Sequence, residues 1–186
     1  MHRLWIAFVL VLLVSFMILG WIGTRINADK PPIPQRVVTT DGTVLIDNGH
    51  IESGQNVWQS MGGMEVGSIW GHGSYVAPDW SADWLHREAT FILGKWSNAD
   101  FGADYAKLNG EQQAQLQGRL ATLMRTSTYD PTTTTITLAP IRAEAFQVIF
   151  EHYTDVFSNG KLEYAIPKGA VTDSERLRNL SAFFFW

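Results

Sequence analysis

The sequence predicts a mainly α-helical protein, with one N-terminal transmembrane helix followed by an extramembrane domain that is mostly helical and carries a small β-hairpin. Three observations predict it. Twenty uncharged residues run from Leu4 to Gly23, apolar side chains recur at helical spacing in several later segments, and β-branched residues flank a two-residue Asp41-Gly42 turn. A chain of 186 residues has room for one domain plus appendages.

The run LWIAFVLVLLVSFMILGWIG is about 30 Å long as a helix, the hydrocarbon thickness of a bilayer. Thirteen of its twenty residues are Leu, Ile, Phe or Val, which favours insertion by about 4–8 kcal/mol. A cleavable signal peptide is the rival reading. It fits less well, because the run exceeds a typical signal core, Trp5 and Trp21 bracket it, and no A-x-A site follows. We therefore assign residues 1–28 to a membrane anchor. Orientation is a conflict within the sequence: Arg3 alone precedes the span while Arg25, Lys30 and Arg36 follow it, and basic residues tend to stay cytoplasmic.

Residues 29–36 form a linker, since Pro31, Pro32 and Pro34 favour extended backbone over helix. Residues 37–175 form the domain. Val37 to Asp47 is a hairpin around Asp41-Gly42. A short helix covers Ile51 to Met61, and the glycine-rich stretch from Gly62 to Gly73 is an irregular loop. Ser81 is the expected cap of a helix whose inward face is Leu85, Ala89, Ile92, Leu93 and Trp96. A further helix spans Glu111 to Arg125 with Leu116, Leu120 and Leu123 inward. Thr132 to Thr135 is a loop or strand edge. Pro140 opens a long helix to Phe157, with Ala145, Ile149 and Tyr153 on one stripe and Gly160 as its stop.

Thr172-Asp-Ser-Glu175 has the spacing of a capping box. The segment it opens becomes wholly apolar and ends in Phe183, Phe184, Phe185 and Trp186. Four aromatics with no cover are an aggregation hazard, so residues 176–186 read as the start of a second transmembrane helix in a longer protein. Folding back onto the domain is the alternative.

Composition excludes several chemistries. With no cysteine, the chain has no disulfide, thiolate zinc site, iron–sulfur cluster or C-x-x-C-H haem attachment. A net charge of −4 without a basic run gives no footprint for nucleic acid. His2, His50, His72, His86 and His152 lack ligand spacing. Glu65 and Asp79 flank the glycine-rich loop, but nothing marks them as an acid–base pair. No G-x-S-x-G elbow is present.

The stretch from Gly54 to Glu88, GQNVWQSMGGMEVGSIWGHGSYVAPDWSADWLHRE, resembles the N-terminal extramembrane segment of quinol-dependent nitric oxide reductase. SERLRNLSAFFFW resembles the entry to that enzyme's second membrane helix. The resemblance from Lys107 to Lys168 is loose. It implies a cytochrome c-like periplasmic domain that has lost its haem, held at the bacterial inner membrane by the anchor. It also implies a catalytic region, absent from these 186 residues, of the haem–copper oxidase superfamily. That region would carry haem b, haem b3 and a non-haem iron, and reduce two nitric oxide molecules to nitrous oxide with electrons from quinol, a step of denitrification.

In the related cytochrome c-dependent reductases a haem box precedes a G-x-G-x-Y-x-A-P pattern, and Ser60-Met-Gly-Gly-Met64 stands near the place of that box. The pentad has no thiol or imidazole, so it holds no covalent haem. The resemblance further implies that Gly73 and Tyr75 help bind a calcium ion shared with the catalytic region; the other reading makes Tyr75 a core aromatic and Gly73 a turn residue. Two neutral oxygen ligands do not hold calcium alone. Trp58, Trp70, Tyr75, Trp80 and Trp84 supply core and interface material, and Trp70, His72, Trp80 and Trp84 are the residues expected to face the catalytic region. A self-contained, membrane-anchored binding module with a stacking platform for sugars is the second functional reading.

Overall fold

The computed structural model describes residues 2–28 and 31–186, which divide into two compact units, Met1–Pro32 and Ile33–Trp186. The first unit is helix α1 (His2–Ala28), a little longer than the uncharged run. Its side chains from His2 to Ile26 are all exposed, and it is long and apolar enough to cross a membrane, a test that a signal sequence near an N-terminus also passes. Part of the expected linker, residues 29 and 30, lies outside the described residues.

The second unit begins at Ile33, and its first strand at Arg36. Strands β1 (Arg36–Thr39) and β2 (Val44–Ile46) form the expected antiparallel hairpin. The sheet is larger than that hairpin. Strands β3 (Tyr129–Asp130) and β4 (Thr135–Leu138) complete a four-stranded sheet in the order β2-β1-β4-β3, and β4 pairs with β1 in parallel, Val37 opposite Ile136. Thr132 to Thr134 thus lie in the turn that enters β4, and Thr135 is its first residue.

Helices α2 (His50–Ser60), α3 (Gly63–Val66), α4 (Trp80–Phe101), α5 (Gly110–Arg125), α6 (Pro140–Asn159) and α7 (Ser174–Phe185) make up most of the domain. Their ends follow local chemistry. The Asn109 carboxamide accepts from the Gln112 amide at 2.9 Å while the Gln112 side chain accepts from the Asn109 amide at 3.1 Å, a complete capping box. Pro140 occupies the first turn of α6, where its missing N–H costs nothing. Two caps differ from the expected ones. Asp79, not Ser81, caps α4, and at α7 the cap is Asp173, which accepts from the Arg176 amide at 2.8 Å. A carboxylate is as good a cap as a hydroxyl, so tertiary packing chose between neighbouring candidates.

The inward face of α4 also differs. Its buried stripe is Trp80, Trp84, Glu88, Ile92 and Trp96, whereas Leu85 is exposed. The stripe contains a carboxylate because Arg142 on α6 meets Glu88 from the other side, Nε to Oε1 at 2.5 Å and Nη2 to Oε2 at 3.3 Å. The inward leucine of α5 is Leu116, with Leu120 and Leu123 half-buried; Ala145, Ile149 and Tyr153 of α6 are buried as expected.

Helix α7 gives the C-terminal aromatics a place that the sequence alone did not show. Its aromatics have cover. Phe183 and Phe184 are buried, and the Phe184 ring stacks on Trp80 at 5.2 Å and meets Trp58 edge-on at 5.7 Å. Helix α2 makes this possible at Gly54. A Cβ there would lie 1.9 Å from the Asn179 carbonyl oxygen, so only glycine lets the α2 and α7 backbones come this close. Around that crossing Trp58, Trp80, Trp84, Tyr153, Phe157 and Phe184 form one aromatic core.

Candidate functional site: the loop between α3 and α4

Between α3 and α4 the chain leaves the core and returns to it at the same place. The neck is closed by backbone bonds. The Ala77 amide donates to the Val66 carbonyl at 2.7 Å and the Trp80 amide donates to the Ser68 carbonyl at 2.9 Å. From Val66 to Pro78 there is no charged side chain. The tip points into solvent: Tyr75 is fully exposed, Trp70 and Val76 are about half exposed, and His72 and Gly73 are exposed.

The loop is tied down from inside by Asp79. Its Oδ1 accepts the Ala82 amide at 3.0 Å, which caps α4. Its Oδ2 accepts both the Ser68 hydroxyl and the Gly71 amide at 2.6 Å. Burial pushes the carboxyl up, but the bonds from Ser68, Ala82 and Gly71 outweigh it and hold the group below the usual carboxylate range. Two further bonds shape the tip: the Trp70 amide donates to Ser81 Oγ at 3.3 Å, and His72 Nδ1 donates to the Ile69 carbonyl at 2.7 Å. Trp70 has a φ of 57°, a left-handed backbone that costs a non-glycine residue about 1–2 kcal/mol. Its ring rests edge-on against Trp186 at 5.0 Å and against Phe183 at 6.3 Å.

These contacts divide the expected site residues. Trp70, His72, Gly73 and Tyr75 share the exposed loop, and the alternative that Tyr75 is a core aromatic is corrected by its full exposure. Trp80 and Trp84 are corrected as well. Both are buried in the aromatic core, so neither side chain is available to a partner. With Trp58 also buried, three of the five aromatics proposed as a stacking platform for sugars are inside the fold. Glu65 is exposed, and Asp79 is committed to its three donors.

Sequence reasoning missed the Asp79 clasp and the polar contacts beneath the core. Asp83 receives the Tyr153 hydroxyl at 3.0 Å and Arg87 Nε at 2.7 Å. Burial, reinforced by the Asp83 charge, drives the Tyr153 phenol far above its ordinary range, so it stays protonated as the donor. The i,i+4 spacing of Asp83 and Arg87 was a usable signal; the partnership with Tyr153 was not, since it bridges 70 positions.

His86, Arg87, Thr90, Phe91, Val148, Ile149 and His152 line an open pocket of about 380 Å³. The His152 Nε2 is buried without a partner, and burial, with Arg87 and Lys161 nearby, holds its pKa below the ordinary value despite Asp83 and Asp155. The unfolded chain therefore takes up this proton first as pH falls. The contribution of neutral His152 is complete above the unfolded value near 6.5 and is lost as pH drops through it toward the lower folded value. Thermal unfolding followed from pH 7.5 to 5.5 is expected to show a falling Tm in the wild type and a flatter profile in His152→Phe; parallel profiles would refute this.

Among the described residues no group of three or more His, Cys, Asp or Glu is placed to hold a metal. At the pentad that stands near the place of a haem box, the donor set and the packing both fail to suit a covalently held haem. There is no thiol or imidazole, Trp58 Nε1 faces Met64 Sδ at 3.4 Å, and a Cβ on Gly63 would collide with the Trp58 ring at 2.1 Å. Calcium is a different case. Gly73 and Tyr75 offer neutral oxygens on an exposed loop, which suits a partial ligand set completed from elsewhere.

Fold and loop together define a cytochrome c-like helical domain whose interior is filled by its own aromatic side chains. The family model for the cytochrome c-like domain of NorB, a nitric oxide reductase polypeptide, matches residues 34–186, a span that includes α7. The chain belongs to this family, as an N-terminal portion of the NorB polypeptide of nitric oxide reductase. No curated protein matches it.

Proposed function

We propose that this chain is the anchor and periplasmic docking domain of a quinol-dependent nitric oxide reductase, and that it is not itself catalytic. In the whole enzyme two nitric oxide molecules and one quinol yield nitrous oxide, water and quinone, at haem and non-haem iron centres of the catalytic region. On this reading residues 1–28 hold the domain at the inner membrane, and the domain braces the outer face of that region. The periplasmic side is taken from the family, against the weak charge bias after the span.

The observation that carries the docking role is the uncharged loop from Val66 to Pro78, hydrogen-bonded from within while Trp70, Tyr75 and Val76 are exposed. Rigid aromatic side chains are effective interface anchors, because docking orders little that was free. Gly73 would offer its carbonyl and Tyr75 its phenol oxygen to a calcium ion shared with the catalytic region. The ion would join the two surfaces as an oxygen-ligated bridge.

The whole reductase tests both parts. A photo-crosslinking residue at Tyr75 is expected to join the catalytic region, with a yield that changes little with salt because the loop carries no charge. Cross-links to other molecules only would refute docking. The enzyme is expected to oxidise a hydroquinone with nitric oxide as acceptor and to make no use of reduced cytochrome c; the reverse preference would refute quinol dependence. The 186-residue chain by itself is expected to consume no nitric oxide and to show the same Tm in millimolar calcium as in chelator.

A further inference from the structure

We infer that Asp79 is the positioning residue of this docking loop: its single carboxylate joins the first turn of α4 to the loop backbone, so that the aromatic tip is set in one conformation before a partner arrives. The docking half of this inference rests on the reading just proposed; the clasp itself does not.

The geometry separates two duties on two oxygens. Oδ1 caps α4 through the Ala82 amide, a duty any good cap performs. Oδ2 holds Ser68, at the neck, and the Gly71 amide, beside the left-handed Trp70, at 2.6 Å each. Trp70 has no intrinsic preference for that backbone, and glycines at 71 and 73, with φ of 79° and 78°, put no side-chain barrier in the way of relaxation. A loop of this composition is therefore free to wander unless something holds it. Its side-chain hydrogen bonds are those of the carboxylate, the Ser81 hydroxyl on the Trp70 amide and the His72 bond to Ile69, and the Trp70 ring also rests on Trp186 and Phe183. Of these, only the Asp79 carboxylate ties the neck, the tip and α4 together. An acceptor with a full negative charge makes stronger bonds than a neutral one. The depressed titration of the group agrees with that assignment.

Asp79→Asn separates the duties. Asparagine caps a helix as well as aspartate, but an amide has one acceptor oxygen, so it cannot serve Ala82 and Gly71 as the carboxylate does. In the 186-residue chain in detergent, Asp79→Asn is expected to speed amide exchange at Gly71 and across residues 68–76 by about tenfold or more, while exchange within α4 and the Tm stay near wild type. Ser68→Ala, which leaves the cap untouched, is expected to loosen the same segment to a smaller degree. If Asp79 were only a cap, Asp79→Asn would alter nothing, and unchanged loop exchange in both variants overturns the inference. In the whole reductase, Asp79→Asn is further expected to lower the cross-linking yield from position 75. A loosened loop with undiminished cross-linking would overturn the claim that the clasp prepares the loop for docking, while the clasp itself stands; cross-linking absent in the wild type as well would overturn the docking reading.

Discussion

Arg142→Met is expected to destabilise the domain by about 3–5 kcal/mol. Glu88 is 2% exposed, and Arg142 supplies both of its bonds. Removing the guanidinium leaves a carboxylate inside an apolar stripe between Trp84 and Ile92 with its solvation lost and nothing in return. The pair itself is not worth that much, since desolvating two charges consumes most of their attraction. The double variant Glu88→Leu with Arg142→Met is therefore expected to recover most of the loss, and a urea titration of the four proteins in the cycle measures it. An Arg142→Met midpoint equal to wild type would mean that Glu88 reaches water. By contrast, the exposed pairs Arg36–Asp47 and Lys107–Asp104 should be nearly silent, because solvent screens them.

Phe184→Ala is expected to cost about 3–5 kcal/mol, the range for a fully buried phenylalanine whose neighbours relax only in part. Its ring touches Trp58, Trp80, Tyr153 and Phe157, so the cavity would open at the meeting point of α2, α4, α6 and α7. Phe185, one position on and half-buried, touches Trp84 and Phe146 and should cost less. Thermal unfolding in detergent compares the two directly. If the aromatics of α7 served a bilayer instead of this core, Phe184→Ala would leave the Tm of the domain unchanged.

Local signals in the sequence were readable. The Asp41-Gly42 turn produced its hairpin, and Pro140 and Gly160 bracket α6. Helices α2, α5 and α6 lie within a residue or two of the spans their periodicity implies. The loop that carries the candidate site was legible as glycine-rich and irregular, although Gly63–Val66 within the expected stretch form α3, and the residues that make it specific lie in the string that resembles the family. What failed was everything that depends on a distant partner. The face of α4 was misjudged because a carboxylate at position 88 counts against burial until Arg142 is known to sit opposite it, 54 positions away. The parallel strand β4 was missed because β1, its partner, lies almost a hundred residues earlier.

The C-terminal segment shows the same division. Taken alone, Phe183 to Trp186 are apolar side chains with nowhere to go. In the fold, Gly54 brings α2 close enough for two of them to close the core.

By itself the sequence determined most of the segments that become helix or hairpin, that cysteine-based haem attachment is impossible, and where a glycine-rich loop would fall. These properties depend on neighbouring residues and on composition. Only the tertiary structure decided that Trp80 and Trp84 belong to the core while Trp70 and Tyr75 face outward, and that Asp79 clasps the loop. Burial and hydrogen bonding are properties of pairs of surfaces, and the chain brings those surfaces together only when it folds.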